Sequence, residues 1–177
     1  MNTSIAQYLE RESGAIITPC QKYRYALWRR WADAAPVAFI GLNPSTADAT
    51  SDDPTIRRCI GFARRFAAGG IVMLNLFAYR STDPSVLAGL REAAVGWDHD
   101  AIIGPWLAAC RFSIAAWGAS LPPGSSRPTA LSVLAVLHHG GLHCLGRTKS
   151  GQPRHPLYLR SDAPLETWCG SPKAVKS

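Results

Sequence analysis

The sequence predicts an α/β fold with three layers, in which helices cover both faces of a central, mostly four-stranded parallel sheet. Two observations carry this. Short apolar, β-rich runs alternate along the chain with stretches whose apolar residues recur at helical spacing. The strand-like runs are also continuously apolar rather than alternating, as strands covered on both faces are.

In chain order, residues 1–22 are polar and carry no decided element. Tyr23 to Trp31 is aromatic and basic. It fits an edge strand or a short helix, the strand better, and Trp28 and Trp31 read as packing residues. Ala32 to Ala35 links it to the first buried strand, Val37 to Ile40, which Gly41 ends. Asn43, Pro44 and Ser45 then supply turn chemistry, because Pro fixes φ while Asn and Ser bond locally to backbone. Asp53 followed by Pro54 is a helix start, and Ile56, Cys59, Ile60, Ala63 and Phe66 recur at helical spacing. Arg57, Arg58, Arg64 and Arg65 give that helix a basic face, and Gly69-Gly70 closes it.

Ile71 to Phe77 is a second buried strand, interrupted by Asn75, whose amide is costly to bury without partners. Asp83 and Pro84 open a short helix, and a further helix covers about 98–110. Phe112 to Trp117 is a third strand, closed by Gly118. A loop over 121–127 leads into a helix over about 128–139, and Leu142 to Leu145 is the fourth strand. The basic, turn-rich segment 146–156 follows, and the end from Asp162 reads as loose. One domain spans 1–177, its core at about 23–160, with 1–22 and 162–177 peripheral.

The formal net charge of +7 fits a polyanionic partner. Between Asp100 and Asp162 no acidic residue occurs, yet Arg111, Arg127, Arg147, Lys149, Arg154 and Arg160 all do. The five cysteines are widely spaced, which points to no metal or iron–sulfur site and to small buried residues in a reducing compartment. The N-terminus has no signal-peptide pattern and no stretch is apolar enough to span a bilayer, so the expectation is a cytoplasmic monomer without cofactor or membrane partner. No nucleotide-binding glycine loop and no hydrolase elbow is present. His138, His139 and His143 lie too close to a helix end and a strand to argue for a metal.

Polar groups mark the ends of the predicted strands: Asn43, Asn75, Trp117-Gly118 and the stretch around His155. In a parallel sheet these ends share one edge, so the groups can converge on one pocket. Gly41-Leu42-Asn43-Pro44-Ser45 resembles the first motif of the uracil-DNA glycosylase superfamily, nearest its mismatch-specific uracil glycosylase type. Leu74-Asn75 resembles the second strand of that superfamily, Ala116-Trp117-Gly118 the end of the third, and His155-Pro156-Leu157-Tyr158-Leu159 the last motif. The whole is similar to a bacterial and phage family of glycosylase-like proteins. It departs from the best-known members in lacking the Asp or second Gly of the first motif and the Ser-Pro of the last. An extra stretch, Ser45 to Asp53, also follows the first loop.

The resemblance implies a metal-independent DNA glycosylase acting on duplex or single-stranded DNA. In it Asn43 positions the attacking water, and His155 hydrogen-bonds the departing base. Asn75 reads the base edge, with Leu42, Ser45 and Phe77 around it, and Leu159 wedges into the duplex. Arg147, Lys149, Arg154 and Arg160 hold phosphates. Asp48, Asp52 or Asp53 are alternative holders of the water, although Asp53 also reads as a helix cap. The family setting further implies a hypermodified phage base, such as glucosylated hydroxymethylcytosine, as target in antiviral defence. The alternatives are a non-catalytic reader of modified or abasic sites and an enzyme of free nucleosides or nucleotides.

Overall fold

The computed structural model describes residues 4–139 and 141–168 and is α/β. Its sheet has seven strands: β1 (Ser13–Ile17), β2 (Arg24–Arg30), β3 (Val37–Gly41), β4 (Gly70–Asn75), β5 (Ser113–Ala115), β6 (Leu142–Cys144) and β7 (Glu166–Trp168). They lie in the order β1-β2-β4-β3-β5-β6-β7. The helices are α1 (Ile5–Leu9), α2 (Pro54–Arg65), α3 (Val86–Leu90), α4 (Glu92–Val95), α5 (His99–Ala108) and α6 (Arg127–His139).

The expected four-stranded parallel sheet is therefore too small. β4, β3, β5 and β6 do run parallel. Antiparallel strands extend them on both sides, β2 and β1 beyond β4 and β7 beyond β6. The additions escaped the sequence reading for a physical reason. β1 is only half-buried along most of its length, and β7 is three residues of which only Trp168 is buried. Neither shows the continuous apolar run of a covered strand. The end of the chain is thus not loose throughout, and β2 is not an edge strand, because β1 covers it. Of the described cysteines, Cys59, Cys110 and Cys144 are buried and Cys20 is exposed, while Cys169 lies outside the described residues.

The strands feed two cores by simple alternation. Ala38, Ile40, Val72 and Leu74 face one side, together with Ile103, Trp106, Leu107 and Leu131 from α5 and α6. Val37, Phe39, Ile71 and Met73 face the other, against Ile56, Cys59, Phe62 and Ala63 of α2. Helices lie on both faces as a result. Trp28 is core, stacked 5.0 Å from Trp106 between ring centres. Trp31 lies on the second side, where its indole donates to the Ala68 carbonyl. α2 begins as its sequence demands: Asp53 has extended backbone and its Oδ1 accepts from the Ile56 N–H at 2.9 Å, ahead of Pro54.

Two departures matter for the site. The basic face of α2 is partly consumed inside the protein, because Arg58 donates to the Leu159 carbonyl and Arg65 to those of Ser161 and Ala163. The extra stretch after the first loop is a strap held down by two buried arginines of β2. Arg24 Nη1 donates to the Ala47 carbonyl, and Arg29 bonds the Asp48 carbonyl and the Asp52 carboxylate, each at 2.8 Å. Among the described residues no helix is long and apolar enough to cross a membrane.

Candidate active site

The carboxyl ends of the parallel strands stop at one edge, where open α/β sheets place their ligands. The register sets Gly41 of β3 beside Asn75 of β4. Beyond it the two loops stay zipped, the Leu76 and Phe77 N–H groups donating to the Gly41 and Leu42 carbonyls. Over this edge opens a cavity of about 530 Å³. Its walls include Leu42, Asn43, Ser45, Asp53, Asn75, Arg154 and His155 of the expected site residues.

Asn75 forms part of the cavity wall and is 1 % exposed, yet neither its Oδ1 nor its Nδ2 has a hydrogen-bond partner. Each buried polar atom left open costs about 1–3 kcal/mol. Gly41 makes room for it, since a Cβ there would come within 2.8 Å of Asn75 Oδ1 and 2.6 Å of Met73 Cε.

Asn43 is arranged in the opposite way. Its Nδ2 donates to the carbonyls of Ser81 at 2.8 Å and Pro44 at 3.2 Å. Both amide hydrogens are thereby committed, which fixes the amide and leaves its oxygen as the group able to accept from a water.

His155 arrives on a separate loop. The segment 147–153 closes on itself through an antiparallel bridge between Arg147 and Pro153, and the indole of Trp117 donates to Gln152 Oε1 at 2.9 Å. That bond ties the loop to the end of β5. Gly118 adopts φ +76, a conformation a side chain strains, and a Cβ on it would reach His155 Cβ at 3.4 Å. The His155 Nδ1 accepts from the Leu157 N–H at 3.3 Å. The neutral ring therefore carries its proton on Nε2. Burial lowers the imidazole below its usual range, against an opposing pull from the Asp53 charge. His155 is accordingly a neutral donor at pH 7.

The remaining expected residues divide. Asp53 lines the cavity while capping α2. Asp48 does not reach it: its Oδ1 accepts from the Thr50 and Ser51 N–H groups, which hold its carboxyl below the ordinary value. Asp52 is spent on Arg29. Phe77 is not a cavity residue either. It is 4 % exposed in the first core and acts through its backbone bond to Leu42.

Leu159, expected as an exposed wedge, is 8 % exposed and packs in the second core, its carbonyl drawn in by Arg58. The exposed apolar residues beside His155 are Leu157 and Tyr158, both at the cavity. Of the basic residues, Arg154 lines the cavity and Lys149 is exposed. Arg147 donates to the Thr167 carbonyl and lies 4.7 Å over the Trp168 ring, while Arg160 pairs with Asp162.

The sequence reading missed Arg24, a buried cation in the cavity wall. Its only signal is a charged residue within a strand that turns out to be covered on both faces. Among the described residues no group of three or more His, Cys, Asp or Glu is placed to hold a metal.

Fold and site together define an α/β protein with a cavity of mixed polar and apolar lining at the carboxyl edge of its parallel strands. The chain matches, over residues 24–157, the family model described as "Protein of unknown function (DUF1643)", and it belongs to that family. No curated protein and no solved structure matches it.

Proposed function

We propose that the cavity is the active site of a monofunctional DNA glycosylase on a variant of the uracil-DNA glycosylase sheet. The enzyme takes up a flipped modified or damaged base and hydrolyses its N-glycosidic bond to leave an abasic site. The observation that carries this reading is Asn75. A buried amide with both its donor and its acceptor open, at a strand end in a cavity, is suited to the edge of a base, which offers the matching pair.

The chemistry follows from the neighbours. The bond from C1′ to the base nitrogen breaks with its electron pair leaving on the base. The Nε2–H of His155 bonds the developing negative charge, and a donor fixed in advance for such a charge is worth a few kcal/mol. A water held by the Asn43 carbonyl attacks C1′ of the oxocarbenium-like sugar, and its proton passes to the departing base or to solvent. Asp53 is the carboxylate at the cavity that can take over the hold on the water. Arg154 at the cavity, whose Nη2 also donates to the Tyr158 carbonyl, and the exposed Lys149 are the cations assigned to phosphates.

A second reading, an enzyme of free nucleotides, is favoured by the burial of Leu159 and the engagement of Arg147 and Arg160 elsewhere.

The test is base release without added metal. The substrates are end-labelled duplexes carrying uracil, mispaired thymine or hydroxymethylcytosine, DNA with glucosylated hydroxymethylcytosine, and the corresponding mononucleotides. Alkali cleavage at one duplex, slowed at least about a hundredfold in Asn43→Ala, is the expected result. Release from mononucleotides alone selects the second reading. Tight, salt-sensitive DNA binding with no release from any substrate overturns both in favour of a non-catalytic reader.

A further inference from the structure

Arg24 is the strongest feature of the cavity that base recognition leaves unused. It is 2 % exposed and lines the cavity. One of its nitrogens, Nη1, donates to the Ala47 carbonyl at 2.8 Å, whereas the buried Nε has no partner. Among the described residues it makes no ion pair. The Asp53 and Asp48 charges favour its ionisation from a distance, while those of Arg80 and Arg29 oppose it. Burial lowers the guanidinium to about 10, so it is still a cation at neutral pH.

A buried charge without a counter-ion is among the costliest arrangements in a protein. A neutral base carbonyl would satisfy the open N–H groups but would leave the charge uncompensated. An anion satisfies both, and the planar guanidinium fork matches phosphate geometry.

We propose that Arg24 is an anion receptor inside the cavity, so that the substrate brings a phosphate or comparable acidic group into the same cavity that holds its base. The proposal rests on reading the cavity as a base site and narrows it: the unit bound is a nucleotide with its own anion inside, rather than a base inserted alone. The anion has two sources with one chemistry, a terminal phosphate monoester of a free nucleotide or a phosphodiester of a strand.

The test is calorimetric binding to wild type, Arg24→Lys and Arg24→Gln. The probes are inorganic phosphate, the four 2′-deoxynucleosides, their 5′-monophosphates, and trinucleotides lacking terminal phosphate. For at least one base, the monophosphate or the trinucleotide should bind about tenfold or more tightly than the nucleoside. Arg24→Lys, a point charge without the planar fork, should keep part of that gap and Arg24→Gln should lose it. Asn75→Ala should weaken both members of the pair and leave the gap unchanged.

A monophosphate preference assigns the terminal phosphate, and a trinucleotide preference the diester. Equal binding of nucleoside and both phosphates overturns the proposal, as does a gap that survives Arg24→Gln. If inorganic phosphate alone binds, and depends on Arg24, the anion site stands and the base reading fails. No binding of any probe overturns the proposal. Should Arg24→Gln fail to fold, competition by inorganic phosphate against the preferred nucleotide on wild type decides instead. Displacement supports the shared anion site, and its absence rejects it.

Discussion

The two ends of β2 bury the same side chain and treat it differently. Arg29 is fully employed: its guanidinium bonds the Asp52 carboxylate and the carbonyls of Trp28 and Asp48. Arg24, at the other end of the strand, lines the cavity with one bond to a carbonyl and a buried Nε that has no partner. The first arrangement builds structure, holding the strap at Asp48 and Asp52, whereas Arg24 holds it at Ala47 alone. The second is a cost carried by the fold, and so is the open amide of Asn75 on the neighbouring strand β4. Buried polar groups that are satisfied stabilise, and those left open in a cavity are held for something else.

The largest effect expected from this contrast is on stability at the paired end. Arg29→Ala strands the Asp52 carboxylate and the carbonyls it served, and should cost about 3 kcal/mol in denaturant unfolding. Arg24→Met, by contrast, should stay within about 1 kcal/mol of wild type, because the loss of one bond to the Ala47 carbonyl is offset by the removal of a buried cation that has no ion-pair partner among the described residues. Equal losses at the two ends would break the comparison.

Gly41→Ala should cost about 1–3 kcal/mol, since the new Cβ meets Met73 and Asn75 at less than contact distance. Base release should fall further than that loss explains, by about tenfold at a temperature where the variant is fully folded. An Ala variant with full release would show that the position of Asn75 is not critical.

The smallest effect is in pH dependence. Burial lowers His155 below its ordinary value of 6.5, so the folded protein binds fewer protons there than the unfolded chain. Its contribution to stability is complete above the unfolded value and is lost as pH falls through the lowered folded one. Buried His99 shifts in the same direction. The quantity to compare is therefore the difference between wild type and His155→Asn, whose stability should fall less steeply on acidification. Release by wild type should decline over the same window, as the ring gains a second proton and can no longer accept from Leu157. Parallel stability curves would remove His155 from this account.

Much of this was legible in the sequence. Val37–Ile40 and the run from Ile71 announce covered strands because nothing polar interrupts their apolar character until the functional end. The Asp53-Pro54 pair fixes the start of α2 because capping is a local bond. Asn43, Asn75 and His155 stand out as polar groups at strand ends or in a turn. The edge strands β1 and β7 were illegible because a half-buried or three-residue strand leaves little periodicity. Leu159 was misplaced because its side chain packs in the core that α2 covers and its carbonyl accepts from Arg58, tertiary contacts that no local pattern shows. Arg24 was missed because an arginine among aromatic residues looks like an exposed edge until β1 is seen covering β2.

The central claim is that Asn75 is kept open for a substrate at the expense of the fold, and Asn75→Leu tests it most directly. The substitution replaces an unsatisfied amide by an apolar side chain of similar size. Unfolding free energy and base release should be measured on the same preparation. The account predicts a rise of about 1–3 kcal/mol in stability together with a loss of release of a hundredfold or more. A variant that is less stable than wild type, or that releases base at the wild-type rate, would contradict it.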